Sequence, residues 1–159
     1  MQVLIVTDGA HCSQLAVRRV RTFYPTDTLV VLSVEPMPAG GLLNVGGVMG
    51  PVLVDPHLQE TSTATAITDA RRILGEGPDV SYRTTQGDPG ATIVAVAQEL
   101  DVDVIVMGSH GRDTLARLLI GSVANYVVNH ATCPVLVFKS KVVAAATGVP
   151  TPPQATVIS

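Results

Sequence analysis

Val102-Asp103-Val104-Ile105-Val106-Met107-Gly108-Ser109-His110-Gly111, followed after nine intervening residues by Gly121-Ser122-Val123-Ala124, is the stretch on which the reading of this chain turns. Val102 to Met107 is almost wholly apolar and rich in β-branched residues, the pattern of a strand buried on both faces. Glycines follow it, and a helix is expected to open at Ser122. Without a Cβ, glycine lets main-chain N–H groups approach a ligand closely. A helix start adds free N–H donors and a partial positive charge. Together these are what an anionic phosphate tail requires when no lysine is at hand, and the chain's only lysines are Lys139 and Lys141. The Ser122 hydroxyl offers a further donor, and hydrogen bonds to charged groups contribute roughly 1.5–3 kcal/mol each.

Outward from this stretch, strands and helices alternate. Val3 to Val6 is a short apolar strand that stops at the turn signal Asp8-Gly9. Ser13 is the expected N-cap of a helix whose Ala16, Val17, Val20, Phe23 and Tyr24 share one face. Pro25 ends that helix, and Thr28 to Val34 is the second strand. Glu35 to His57 is rich in Gly and Pro yet apolar, and reads either as a long loop or as a lid or partner-facing patch. Leu58 to Leu74 is helical, though Thr61, Thr63, Thr65 and Thr68 weaken it. Val80 to Gln86 alternates in character, as a strand near a sheet edge does. Asp88-Pro89 starts a helix as N-cap and first helical residue, with Ile93, Ala97 and Leu100 on its buried face. Ser122 to Asn129 is the last helix and Pro134 to Phe138 the last strand.

This order predicts an α/β fold: an open, five-stranded, mainly parallel sheet with helices on both faces. Residues 1–140 form one domain, and 141–159 is a Pro-containing tail expected to be loosely ordered. In such a sheet, ligands sit beyond the carboxyl ends of the strands, where the winding direction reverses. That places Thr7-Asp8-Gly9 beside the Gly108 loop.

Bulk composition agrees and excludes other classes. The 159 residues are 47% hydrophobic but only 3% aromatic, with no Trp, so the core is built from Val, Ile, Leu and Ala. Mean hydropathy is +0.39, but no apolar run reaches the roughly 18 residues that span a bilayer. No signal-type segment is read at Met1-Gln2, and a soluble, cytoplasmic protein is expected. The net charge of -3, from 10 basic and 13 acidic residues without a basic stripe, argues against nucleic acid as a partner. Cys12 and Cys133 read as buried or half-buried thiols, and His11, His57 and His130 lack metal-ligand spacing.

The pattern Gly-x2-Gly-x9-Gly-Ser, carried by Gly108, Gly111, Gly121 and Ser122, resembles the ATP-binding signature of the universal stress protein (UspA) family. Thr7-Asp8-Gly9, Gly87-Asp88-Pro89 and Cys133-Pro134-Val135-Leu136-Val137 resemble that family as well, and the likeness covers residues 2 to about 139. The resemblance implies a Rossmann-like, adenine nucleotide alpha hydrolase-like fold and a bound ATP, or ADP or AMP, with an optional Mg²⁺ or Mn²⁺ bridging the phosphates. Asp8 and Val34 would lie against adenine and ribose with Thr7 and Val6 beside them. Met107 and Gly108 would line the adenosine side, Gly111 the phosphate approach, and Gly121, Ser122 and Val123 the phosphates. Ser109, His110, Arg112 and Ala124 complete the candidate set. Two positions depart from the family: Val6, where Pro is frequent, and Ala124, where a Thr hydroxyl is common. The second departure implies weaker nucleotide affinity.

His110 invites a general-base role, but no carboxylate or nucleophile is placed in sequence to pair with it. Arg112 and Arg117 either reach phosphates or face water, and Asp113 is a weak candidate to hold a divalent ion. The resemblance further implies a regulatory stress-response protein with little or no ATP hydrolysis and no catalytic residues. It also implies a homodimer joined through Val135 to Phe138, an edge that would otherwise stay unpaired. Ala155 to Ile158 is a candidate to add to a partner's sheet. Two alternatives stay open. One is an adenine-nucleotide-hydrolysing enzyme of the same fold, against which stands the lack of a Ser-Gly-Gly-x-Asp-Ser loop after the first strand and of Walker A and Gly-x-Gly-x-x-Gly motifs. The other is a nucleotide-free interaction module.

Overall fold

Three apolar strands, β1 (Gln2–Val6), β2 (Thr28–Pro36) and β6 (Val104–Gly108), form the centre of the sheet. Their side chains are buried on both faces, as their continuous Val, Leu and Ile usage requires. In the computed structural model, residues 1–37, 42–45, 48–51, 56–109, 120–139 and 155–158 are described. The remaining elements are α1 (His11–Phe23), β3 (Leu42–Val45), β4 (Val48–Pro51), α2 (Pro56–Leu74), β5 (Val80–Gly87), α3 (Pro89–Glu99), α4 (Ser122–His130), β7 (Val135–Phe138) and β8 (Ala155–Ile158).

The main sheet runs β5-β2-β1-β6-β7-β8. Its first five strands are mutually parallel, as the alternation of strands and helices predicts. Register follows the pleat: Leu4 pairs with Val30 on one side and Ile105 on the other. Alternate residues therefore serve two cores. Leu4, Leu32, Ile105 and Val137 pack against Ile93, Ala97 and Val127 of α3 and α4. Val3, Ile5, Val31 and Val106 pack against Ala16, Val17, Val20 and Ala70 of α1 and α2. Full burial of each Val, Leu or Ile side chain contributes about 1.5–3 kcal/mol, which makes the twin cores the main source of stability. None of the described helices is long and apolar enough to cross a membrane.

Several local expectations hold. The Asp88 side chain accepts the Ala91 N–H at 2.9 Å, with Pro89 opening α3. β5 is the edge strand, and its side chains are half-buried or exposed. Cys12 is buried and Cys133 half-buried, and burial pushes the Cys133 thiol pKa up.

Four readings are corrected. α1 begins at His11 with Ala10 at the N-cap position, so Ser13 is not its cap. Phe23, the last residue of α1, lies 49% exposed with its ring edge-on to Phe138. The Gly- and Pro-rich span after β2 contains an antiparallel hairpin, β3 with β4, pairing Val45 with Val48. Finally, the tail is not wholly loose, because β8 pairs antiparallel with β7, Phe138 opposite Ala155 and Val135 opposite Ile158. The β7 edge expected to be unpaired in one chain is thus covered by the same chain.

Replacing Asp88 with Ala removes the α3 cap and should lower unfolding free energy in urea by about 1 kcal/mol, with Asp88→Ser losing only a fraction of that. Equal stability of all three proteins would show that the cap contributes nothing.

Candidate functional site

β2 lies on one side of β1 and β6 on the other, so the winding direction reverses between β1 and β6. This is the switch point at which open α/β sheets bind ligands. Its walls are the segment after β1, Thr7 to Ala10, the end of β6 at Gly108-Ser109, and the start of α4.

The segment after β1 is a compact hydrogen-bonded turn. Thr7 continues the ladder, its N–H donating to the Leu32 carbonyl at 2.9 Å, while its buried hydroxyl accepts the Gly9 N–H at 3.2 Å. Gly9 has φ of 78°, the left-handed region where glycine carries no Cβ penalty. Asp8 Oδ1 accepts the Ala10 N–H at 3.0 Å and the Ser13 hydroxyl at 2.6 Å, an Asx turn locked from the first turn of α1. Gln14 holds the turn from the side, its Nε2 donating to the Gly9 carbonyl at 3.1 Å and to Asp69 Oδ2 at 3.3 Å. The half-buried Asp8 carboxylate is thereby fixed in direction before any ligand arrives.

The end of β6 meets α1 without a gap. A Cβ on Gly108 would lie 2.5 Å from the Ser13 nitrogen and 2.7 Å from the Cys12 carbonyl carbon. Backbone cannot yield as a flexible side chain can, so the glycine is required by packing. Beyond it, the Ser109 N–H donates to the Phe138 carbonyl at 2.8 Å, and the Ser109 carbonyl accepts the Gly121 N–H at 2.7 Å. That last bond ties the start of α4 to the end of β6. It also means that the Gly121 amide is already engaged, although the sequence suggested it as a free donor. Gly121 is the N-cap, with φ of -62° and ψ of 159°, and its carbonyl closes the first turn by accepting the Asn125 N–H at 2.9 Å. The amides of Ser122, Val123 and Ala124, the first three of the helix, have no partner among the described residues. An anion fits them: they point out of the helix at its positive end.

The sequence-predicted residues divide accordingly. Asp8, Val34, Ser109 and the α4 start gather at the carboxyl ends of the central strands, with Val34 half-buried on the α3 and α4 side. Thr7, Met107 and Ser109 are each at most 4% exposed, so Thr7 and Met107 support the site from within the packing. His110, Gly111, Arg112, Asp113 and Arg117 lie outside the described residues. Ser13 and Gln14 are the contributors that sequence reasoning missed. The signal for Ser13 was its distance from Asp8, which brings a hydroxyl of the first helical turn back over the loop. Among the described residues, no three His, Cys, Asp or Glu side chains gather as a metal site would need.

Gly108→Ala should destabilise the protein by about 1–3 kcal/mol through overpacking, measured by thermal or urea unfolding without any ligand. Unchanged stability would mean that α1 can withdraw from β6 at no cost.

Comparison with known proteins supplies the remaining evidence. The profile of the Universal stress protein family matches residues 1–139. Universal stress protein MJ0577 of Methanocaldococcus jannaschii is 29% identical over 154 residues, covering 88% of this chain and 95% of that protein. Its solved structure superposes with a TM-score of 0.70 at 26% identity, over 89% of this chain and 96% of that one. A universal stress protein crystallised in complex with cAMP shares the fold at a TM-score of 0.58 and 22% identity, covering 86% and 95% of the two chains. The universal stress protein from Archaeoglobus fulgidus in complex with dAMP does so at 0.56 and 20%, over 86% and 96%. With a family match spanning almost the whole chain and a sheet of the same architecture, the protein belongs to the universal stress protein family.

Proposed function

We propose that this chain binds an adenine nucleotide at the β1–β6 switch point and acts as a regulatory protein of the cytoplasm, not as an enzyme of rapid turnover. The observation that carries the reading is the row of three amides at Ser122, Val123 and Ala124 that have no partner among the described residues, pinned to the end of β6 through the Gly121–Ser109 bond. Family relatives of the same fold hold cAMP and dAMP, which supports an adenine nucleotide in this place. In this reading the phosphates of ATP, ADP or AMP take the α4 amides and the Ser122 hydroxyl, with Gly111 and Arg112 on the approach. Asp8 takes a ribose or adenine donor with its free lone pairs, and Val34 and Gly108 border the nucleoside. A Mg²⁺ or Mn²⁺ bridging the phosphates would be carried in with the nucleotide.

Binding without turnover follows from what phosphoryl transfer demands: a cationic clamp on the transferring group and a positioned base. Among the described residues the carboxylate at this site is Asp8, committed to the Ser13 hydroxyl and the Ala10 amide, which makes it a positioning group. A homodimer joined at β7 belongs to the same reading, although in this chain it requires β8 to leave that edge.

Ser122→Pro tests the site. Proline at the first helical position is tolerated, and the extended ψ of 159° at Gly121 suits a following proline. The substitution removes one amide donor and one hydroxyl while leaving the helix. Calorimetric titration with ATP should show affinity reduced about tenfold or more relative to the native chain, with little change in thermal stability. Equal affinity, or no binding of ATP, ADP or AMP to the native chain at millimolar nucleotide, would overturn the proposal. Hydrolysis faster than about 1 s⁻¹ would overturn its regulatory part.

A further inference from the structure

Gly9 cannot hold its own conformation. Its φ of 78° is one that glycine enters and leaves freely, because without a Cβ both signs of φ are populated about equally. Two side chains fix it instead. The Thr7 hydroxyl accepts its N–H at 3.2 Å, and the Gln14 amide donates to its carbonyl at 3.1 Å. Asp8 precedes Gly9, and its Oδ1 is bonded to the Ala10 N–H just beyond it, so rotation at Gly9 would carry the carboxylate along. The Gln14 bond is therefore a hold on the direction of Asp8.

Gln14 is in turn held by α2. Its Nε2 also donates to Asp69 Oδ2 at 3.3 Å, and a carbonyl and a carboxylate are both acceptors, so the amide presents its nitrogen to the two of them. Asp69 Oδ1 accepts from Arg72 at 2.9 Å, one turn further along the same helix. One carboxylate oxygen thus reaches across to α1 while the other is tied along α2. The chain of groups Arg72–Asp69–Gln14–Gly9 runs from the exposed side of α2 to the turn that carries Asp8. Asp69 and Gln14 are 55 residues apart in sequence, and the shared core of α1 and α2 brings them together.

We propose, on the reading of the switch point as a nucleotide site, that Gln14 and Asp69 are a positioning pair through which α2 sets the affinity for the nucleoside end of the ligand. Neither residue touches the ligand in this reading. They keep Asp8 ordered beforehand, and a carboxylate that must be ordered on binding weakens affinity. By linkage, a nucleotide on Asp8 steadies the bond to Asp69 by the same factor.

The test is calorimetric titration of the full chain with ATP across a set of variants. Gln14→Met keeps the length of the side chain without its donor, and Asp69→Ala removes the acceptor while favouring helix at that position. Each should weaken ATP binding about fivefold, and the double variant no further than either alone. Asp69→Asn, which retains an acceptor for Gln14 but not the charge, should recover most of what Asp69→Ala loses. Asp8→Asn keeps the turn and discards the charged acceptor, so Gln14→Met should add little in that background. Combined with Ser122→Pro, at the phosphate end, its effect should add in full. Native affinity in Gln14→Met or in Asp69→Ala sinks the proposal. So does a Gln14→Met effect that adds to Asp8→Asn as fully as to Ser122→Pro, the mark of a merely structural residue. Failure of the native chain to bind ATP is a separate result, which removes the nucleotide site itself and the pair's role with it.

Discussion

The first turn of α1 is pressed so closely on the end of β6 that no side-chain atom fits between them at Gly108. Much of the molecule depends on that contact. It brings Ser13 over the turn after β1, where its hydroxyl fixes Asp8, and it lowers β6 against the helix layer so that the chain emerges at Ser109 beside β7. A Cβ there would lift α1, loosen the Asx turn and shift the anchor point of α4 together. Stability and site geometry thus share one steric cause, and they cannot be tuned separately at this position.

What the sequence disclosed and what it withheld follow from the range of the forces involved. The parallel sheet was legible because burial on both faces demands continuous apolar strands, and Val3 to Val6 and Val104 to Met107 are short β-branched runs that end at turn signals. The α3 cap was legible because Asp88 and Pro89 act on their immediate neighbours. Ser13 was misassigned for the same reason: a serine near a helix start is expected to cap it, whereas here tertiary packing gives its hydroxyl to Asp8, five residues back. The engaged Gly121 amide was illegible, since its partner Ser109 is fixed only once β6 and α4 are docked. β8 was unreadable as part of this sheet. Four residues beyond a proline-containing span carry no local signal of where they will pair, and the register with β7 is set by an edge that composition cannot reveal.

The two edges of the sheet are protected in different ways. β5 is broken up by exposed polar residues, and its Arg83 pairs with Glu99 of α3 at 2.9 Å, an exposed ion pair of small energetic weight. β7 is uniformly apolar and relies on another strand. Polar side chains discourage addition at one side, whereas at the other the protein depends on occupancy.

The bond between the Ser109 carbonyl and the Gly121 amide has a consequence for how such a protein can diversify. It staples the two ends of the intervening segment at one point of the scaffold using main-chain atoms only. The start of α4 therefore keeps its place at the end of β6 through a donor and an acceptor that every residue type supplies, proline at position 121 excepted.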